Sequence, residues 1–109
     1  MSEEEIVAMI ESMHLPYAYH HYAEGEAPAL PYLIYTYPQS IPYAADDGVY
    51  VQGSSLQLEL YSETRDLSVE RRIEHILGDN DLVYRKSEVY IESENLYEII
   101  YEMEVTVMG

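Results

Sequence analysis

The chain contains no cysteine, no tryptophan and no phenylalanine. The first absence excludes a disulfide scaffold, a zinc–cysteine site and thiol catalysis, and leaves the redox compartment open. Basic residues are scarce: 5 Lys and Arg stand against 21 Asp and Glu in 109 residues, a formal net charge of −16. That balance argues against free binding to nucleic acid or to an anionic membrane. No run of about 18 apolar residues occurs and no basic, apolar leader opens the sequence, so the expectation is a chain that is neither membrane-spanning nor Sec-exported. The 5 glycines are dispersed and none precedes a lysine, which excludes a phosphate-binding Gly-rich loop. A Gly-x-Ser-x-Gly nucleophile elbow is also missing.

What remains is enough to fold. Ile, Val and Leu make up 27 residues, above the regime of low hydrophobicity and high charge in which chains stay disordered. The length suits one domain spanning residues 1–109, with a core small enough that partner subunits matter.

Ser2-Glu3-Glu4-Glu5 reads as a capping box, and Ile6, Met9, Ile10 and Met13 follow at helical spacing, so residues 3–13 are expected to form a helix ended by Pro16. Residues 16–31 carry Pro16, Gly25, Pro28 and Pro31 and read as an irregular arm or loop. Tyr32–Tyr37 reads as a strand, placed at a sheet edge by the prolines at both ends. Asp46-Asp47-Gly48 reads as a turn into a short strand, Val49–Val51. Gly53-Ser54-Ser55 reads as a second turn, entering a strand in which Leu56, Leu58 and Leu60 alternate with polar residues. Asp66 is placed to cap a second helix bearing Val69, Ile73, Ile76 and Leu77, with Gly78 at its C-cap. Leu82–Ile91 and Tyr97–Val107 read as a hairpin joined through Glu92-Ser93-Glu94-Asn95. The expected order is therefore α-β-β-β-α-β-β: an α+β domain, a largely antiparallel sheet with two helices packed on it.

Candidate chemistry is thin. His14, His20 and His21 gather near the arm, and Asp46 and Asp47 have the chemistry of metal ligands, but no His-x-x-x-His pair is present and adjacent histidines on a strand point to opposite faces. Arg71 and Arg72, with Glu70 and Glu74 beside them, read as a solvated, charge-laced helix face. The expectation is no metal, no cofactor and no catalytic site.

Two features ask for more than a monomer. The first is 13 tyrosines, a residue type that gives broad contact area with a polar tip and is enriched at interfaces. Tyr17, Tyr19, Tyr22 and Tyr43, assigned to loops, are the subunit-interface candidates. The second is charge placement: residues 1–64 hold ten acids and no Lys or Arg, and Glu98, Glu102 and Glu104 line the face of the last strand opposite Tyr97, Ile99, Tyr101, Met103, Val105 and Val107.

Read in order, Leu15-Pro16-Tyr17-Ala18-Tyr19, Pro31-Tyr32-Leu33-Ile34-Tyr35, Ala45-Asp46-Asp47-Gly48-Val49-Tyr50, Leu58-Glu59-Leu60-Tyr61-Ser62, Arg65-Asp66 with Glu70 and Ile73-Glu74, and Tyr90-Ile91-Glu92-Ser93-Glu94 followed by Tyr97-Glu98 and Tyr101-Glu102 span nearly the whole chain. This ordered set resembles the tail-terminator (tail-completion, head–tail joining) proteins of siphophages and prophages of Gram-positive bacteria. Tyrosine stands where such proteins often place phenylalanine, and Arg65 where a lysine is common. The resemblance implies a structural virion protein: a homo-oligomeric, typically hexameric ring at the head-proximal end of the tail tube. Such a ring ends tube polymerisation and touches the major tail tube protein and a head-completion or connector protein. DNA passes through without being bound, the acid excess suiting a channel in which phosphates slide rather than stick, with Glu98, Glu102 and Glu104 as channel-facing candidates. The alternatives are another connector or neck protein and, from a different class, a small metal-dependent enzyme or binding module built on the His-rich loop.

Overall fold

The computed structural model describes the backbone of residues 1–44 and 50–107, and the side chains of residues 1–38 and 55–105. The Asp46-Asp47-Gly48 turn and the side chains of Tyr43 and Val107 lie outside the described residues.

Helix α1 runs Glu3–Glu11. Its start is the expected capping box: the Ser2 hydroxyl accepts from the Glu5 amide at 3.1 Å while the Glu5 carboxylate accepts from the Ser2 amide at 3.3 Å. Strand β1, Tyr17–Tyr19, runs parallel to β2, Tyr32–Ala44, with Tyr17 opposite Leu33 and Tyr19 opposite Tyr35. These three residues lie within the stretch read as an irregular arm; a strand this short has too few alternations to register in the sequence. The pairing also corrects the edge position expected for β2, which is covered by β1 over residues 33–35. Beyond that reach β2 has β3 as its sole strand neighbour among the described residues, and Pro38 and Pro42 sit there, on the stretch whose other edge is unpaired. The β2–β3 register shifts between Thr36 and Gln39, around Pro38.

Strand β3, Tyr50–Ser62, unites the two strands expected at 49–51 and 56–60. Gly53-Ser54-Ser55 is therefore not a turn: each residue pairs with β2 on one side and with β5 on the other. Two flanking ladders satisfy the backbone there, and this tertiary pairing overrides a sequence that locally favours a turn. Helix α2, Leu67–Asp79, begins at Asp66, whose carboxylate accepts from the Ser68 and Val69 amides at 3.1 and 3.3 Å. Gly78 lies inside the helix instead of capping it; Asn80 caps, its side-chain amide donating to the Ile76 carbonyl at 2.8 Å, and Asp81 takes the left-handed position at φ 58°. Strands β4, Tyr84–Ile91, and β5, Leu96–Val107, form the expected hairpin, with Asn95 at φ 53° closing the loop.

The five strands lie in the order β1-β2-β3-β5-β4, all neighbours antiparallel except β1 with β2. With α1 and α2 this is the α+β fold, in the order α-β-β-β-α-β-β. Both helices cover one face: Ile6, Met9 and Ile10 of α1 and Val69, Ile73 and Leu77 of α2 share a core with Leu33, Leu56, Leu58, Leu60, Ile99, Tyr101 and Met103. Alternation along each strand sends the intervening residues to the other, helix-free face. Among the described residues no helix is long and apolar enough to cross a membrane.

Candidate functional site

The helix-free face carries a row of acids, with Arg85 of β4 beside Glu102. Register sets Gln57 beside Glu102 and Tyr61 beside Glu98, so β3 and β5 present Gln57, Glu59, Tyr61, Glu98, Glu102 and Glu104 on one surface. The Tyr61 hydroxyl donates toward Glu59 Oε2 at 2.8 Å and Glu98 Oε2 at 3.0 Å, and the Gln57 amide donates to Glu59 Oε1 at 2.5 Å. Burial, with the Glu59 carboxylate adding to it, pushes the Glu98 carboxyl above its ordinary range, while the bond from Tyr61 opposes that rise. Burial and the same Glu59 carboxylate drive the Tyr61 phenol upward, so it stays protonated and able to donate. The three channel-facing candidates thus share a face but not an environment: Glu98 is half-buried and bonded, whereas Glu102 and Glu104 are exposed.

The interface candidates separate. Tyr17 and Tyr19, at alternate positions of β1, sit on the helix-covered face, where Tyr19 packs edge-on to Tyr35 at 5.2 Å and near Tyr37 at 6.0 Å. Tyr17 is half-buried against the core, and Tyr19 remains 52% exposed. Tyr22 belongs to the helix-free face: its ring stands edge-on to Tyr32 at 5.1 Å, and Tyr32 in turn meets Tyr61 at 5.4 Å, a row leading to the acid cluster. Its hydroxyl is buried with no hydrogen-bond partner among the described residues. Tyr43 has its side chain outside the described residues.

The two adjacent histidines correct their expected divergence. His20 adopts φ 69°, leaving strand geometry, and its Nδ1 comes within 2.9 Å of the His21 Nδ1. One of these nitrogens must carry the proton that the other accepts. Among the described residues no group of three or more His, Asp or Glu side chains is placed to hold a metal ion.

A second charged assembly lies where α2 meets β4. Glu70, expected on a solvated helix face, is 1% exposed and takes the Arg65 guanidinium on both oxygens at 2.8 Å. Lys86 joins Glu70 at 2.8 Å and Glu74 at 2.7 Å, Glu74 also accepts from the Tyr101 hydroxyl at 2.8 Å, and Arg65 extends to Glu88. The Arg65 fork and Lys86 hold the Glu70 carboxyl below the ordinary carboxylate range, outweighing its burial. The sequence carried one signal for this network: every basic residue lies between Arg65 and Lys86. Arg71, Arg72 and Arg85 stay out of it, exposed and without an ion pair among the described residues. Close by, an open groove of about 660 Å³ is lined by Asp81, Val83, Arg85, Glu102 and Glu104 among others.

Neither a family model nor a curated protein matches the sequence. Among solved structures, the fold is similar to a chain in the virion of a native gene transfer agent particle, with a TM-score of 0.56 and 12% sequence identity. The likeness covers 95% of this chain and 84% of that one.

Proposed function

We propose that this chain is a structural, non-catalytic protein of a phage-like virion, specifically a tail terminator. In this reading its copies form a ring at the head-proximal end of the tail tube, end tube polymerisation and join the tail to the head connector. The observation that carries it is the fold shared over 95% of the chain with a component of a gene transfer agent virion. The ordered resemblance to tail-terminator sequences adds the position within the particle.

The site geometry is compatible with that role. A five-stranded sheet with helices on one side leaves a broad acidic face, and Glu98, Glu102 and Glu104 on it are the proposed lining of the DNA channel. Like charge on these glutamates keeps a traversing phosphate backbone from settling on them, at little electrostatic cost across a hydrated opening, with Arg85 beside Glu102 the one exposed cation on this face among the described residues. Tyr19, exposed at the β1 edge, and Tyr22 remain the proposed contacts to other subunits.

The test is tube growth. The purified major tail tube protein of the particle that encodes this chain is polymerised with and without it. A terminator shortens tubes and appears at one end of them. A length distribution unchanged by excess chain contradicts the terminator role; binding to a connector protein alone, with tube growth unaffected, points to another joining protein of the neck.

A further inference from the structure

The two edges of the sheet differ in charge and in exposed apolar surface. Residues 65–91, which build α2 and the edge strand β4, contain all five basic residues against six acids, a balance of −1, leaving −15 on the rest of the chain. Three of those cations, Arg71, Arg72 and Arg85, are exposed and make no direct ion pair among the described residues, though, beyond the Ser68 and Val69 bonds that lower the Asp66 carboxyl, Arg72 lies near enough to lower it further. The same flank holds apolar side chains that water does not favour: Leu67, Val83, Val89 and Tyr90 are exposed, four of the five large exposed hydrophobics among the described residues. Among the described residues strand β4 pairs only with β5, so its outer backbone edge is open there. At the opposite edge stands β1, followed in sequence by the turn with Glu24 and Glu26, and the α1 terminus with Glu3, Glu4 and Glu5 lies near Tyr35 and Tyr37 of β2; these acids are exposed, with no Lys or Arg nearby in the sequence. Tyr19, the fifth exposed hydrophobic, sits on this flank.

We infer that the α2–β4 flank docks the β1–α1 flank of a second copy of this chain. A net charge of −16 makes contact between two acidic flanks repulsive, and bringing the nearly neutral flank with its exposed arginines to the acid-rich flank of another copy is a head-to-tail arrangement. Exposed apolar side chains together with arginine are the usual composition of a protein contact, and here both occur on the flank free of excess acid, with Val89 and Arg85 on the helix-free side of β4. Because the contact uses two different surfaces, each copy keeps one of them unused and assembly continues past a dimer until a ring closes or a filament forms. The inference rests on the proposed ring and supplies its faces.

Sedimentation of the whole chain over a range of protein and salt concentrations tests it. The wild type should form species larger than a dimer, weakened by salt. Arg71→Glu with Arg85→Glu, which breaks no ion pair in the fold, should lower self-association about tenfold or more, and Glu24→Lys with Glu26→Lys should do the same, with circular dichroism unchanged in both. Mixing the two defective variants should restore assembly, since every contact then alternates between native and exchanged charge. If the wild type assembles beyond a dimer and both variants match it, the docking faces are wrong while the ring stands. A wild type that stays monomeric at every concentration overturns the docking and the ring together, and assembly that stops at a dimer overturns the head-to-tail arrangement.

Discussion

The two faces of the sheet are made by the same strands yet obey different rules. On the covered face Leu56, Leu58 and Leu60 are fully buried against Ile99 and Tyr101, beneath two helices. On the free face Gln57, Glu59 and Tyr61 stand between those leucines and form a polar network with Glu98. The sheet interior on one side is closed to charge except where a carboxylate has cationic partners, as Glu70 has; on the other side, partly buried carboxylates sit beside one another without a cation. A glutamate one residue along the chain can therefore be a structural anchor or an exposed acid, depending on the face to which it points.

The strongest way to break this contrast is to put an acid on the covered face with no partner. Ile99→Asp should unfold the domain, because burying an unpaired carboxylate exceeds the margin of a domain this size, and thermal melting followed by circular dichroism reads it. Melting like the parent would mean that the faces are assigned the wrong way round. Removing the most buried acid of the covered side comes next. Glu70→Gln should cost about 2 kcal/mol in urea unfolding, since it removes the charge-assisted bonds from Arg65 and Lys86 at a buried carboxylate, while Arg65 keeps Glu88 and Lys86 keeps Glu74.

Acid pH sharpens the same comparison, because the two glutamates respond with opposite sign. Glu70 has a folded pKa held below its unfolded value, so its contribution is complete above the unfolded pKa and is lost as pH falls through the folded one. Glu98 has a folded pKa raised above its unfolded value, so its ionisation opposes folding above the folded pKa, and that opposition is gone below the unfolded one. Glu98→Gln should therefore raise the melting temperature at neutral pH and lose that advantage in acid, whereas the deficit of Glu70→Gln should shrink in acid. A shift of the same sign for both variants would show that the two faces do not differ electrostatically. The smallest stability effect is expected where the free face is exposed: Glu102→Lys with Glu104→Lys should move unfolding by less than about 0.5 kcal/mol. If this face lines the channel, particles carrying that change, extended to Glu98→Lys, should assemble and eject DNA slowly at low salt; ejection at the parental rate at all salt concentrations would take the face out of the channel.

The division into faces was legible in the sequence, and the exceptions have physical causes. Alternation from Tyr97 to Val105 placed Ile99, Tyr101 and Met103 in the core because a strand has one period and no other way to bury every second residue. The capping residues Ser2 and Asp66 were readable because their bonds are local. By contrast, β1 and the continuity of β3 depend on partners distant in sequence, and Gly53-Ser54-Ser55 has no local preference for the strand it joins. The burial of Glu70 was hidden for the same reason: Lys86 reaches it from a strand that follows the helix, and the pairing exists only after the sheet has formed. At the candidate site, the shared face of Glu98, Glu102 and Glu104 followed from spacing, whereas the separation of Tyr17 and Tyr19 from Tyr22 followed from a turn at His20 that the sequence does not announce.

The central claim, a structural protein that ends the tail tube, is tested most directly by finding the chain within the particle. Electron microscopy of virions carrying an epitope on this chain, decorated with labelled antibody, should show a single cluster of label at the head-proximal end of each tail. Label along the length of the tube, at its far tip, or nowhere on the particle would contradict it.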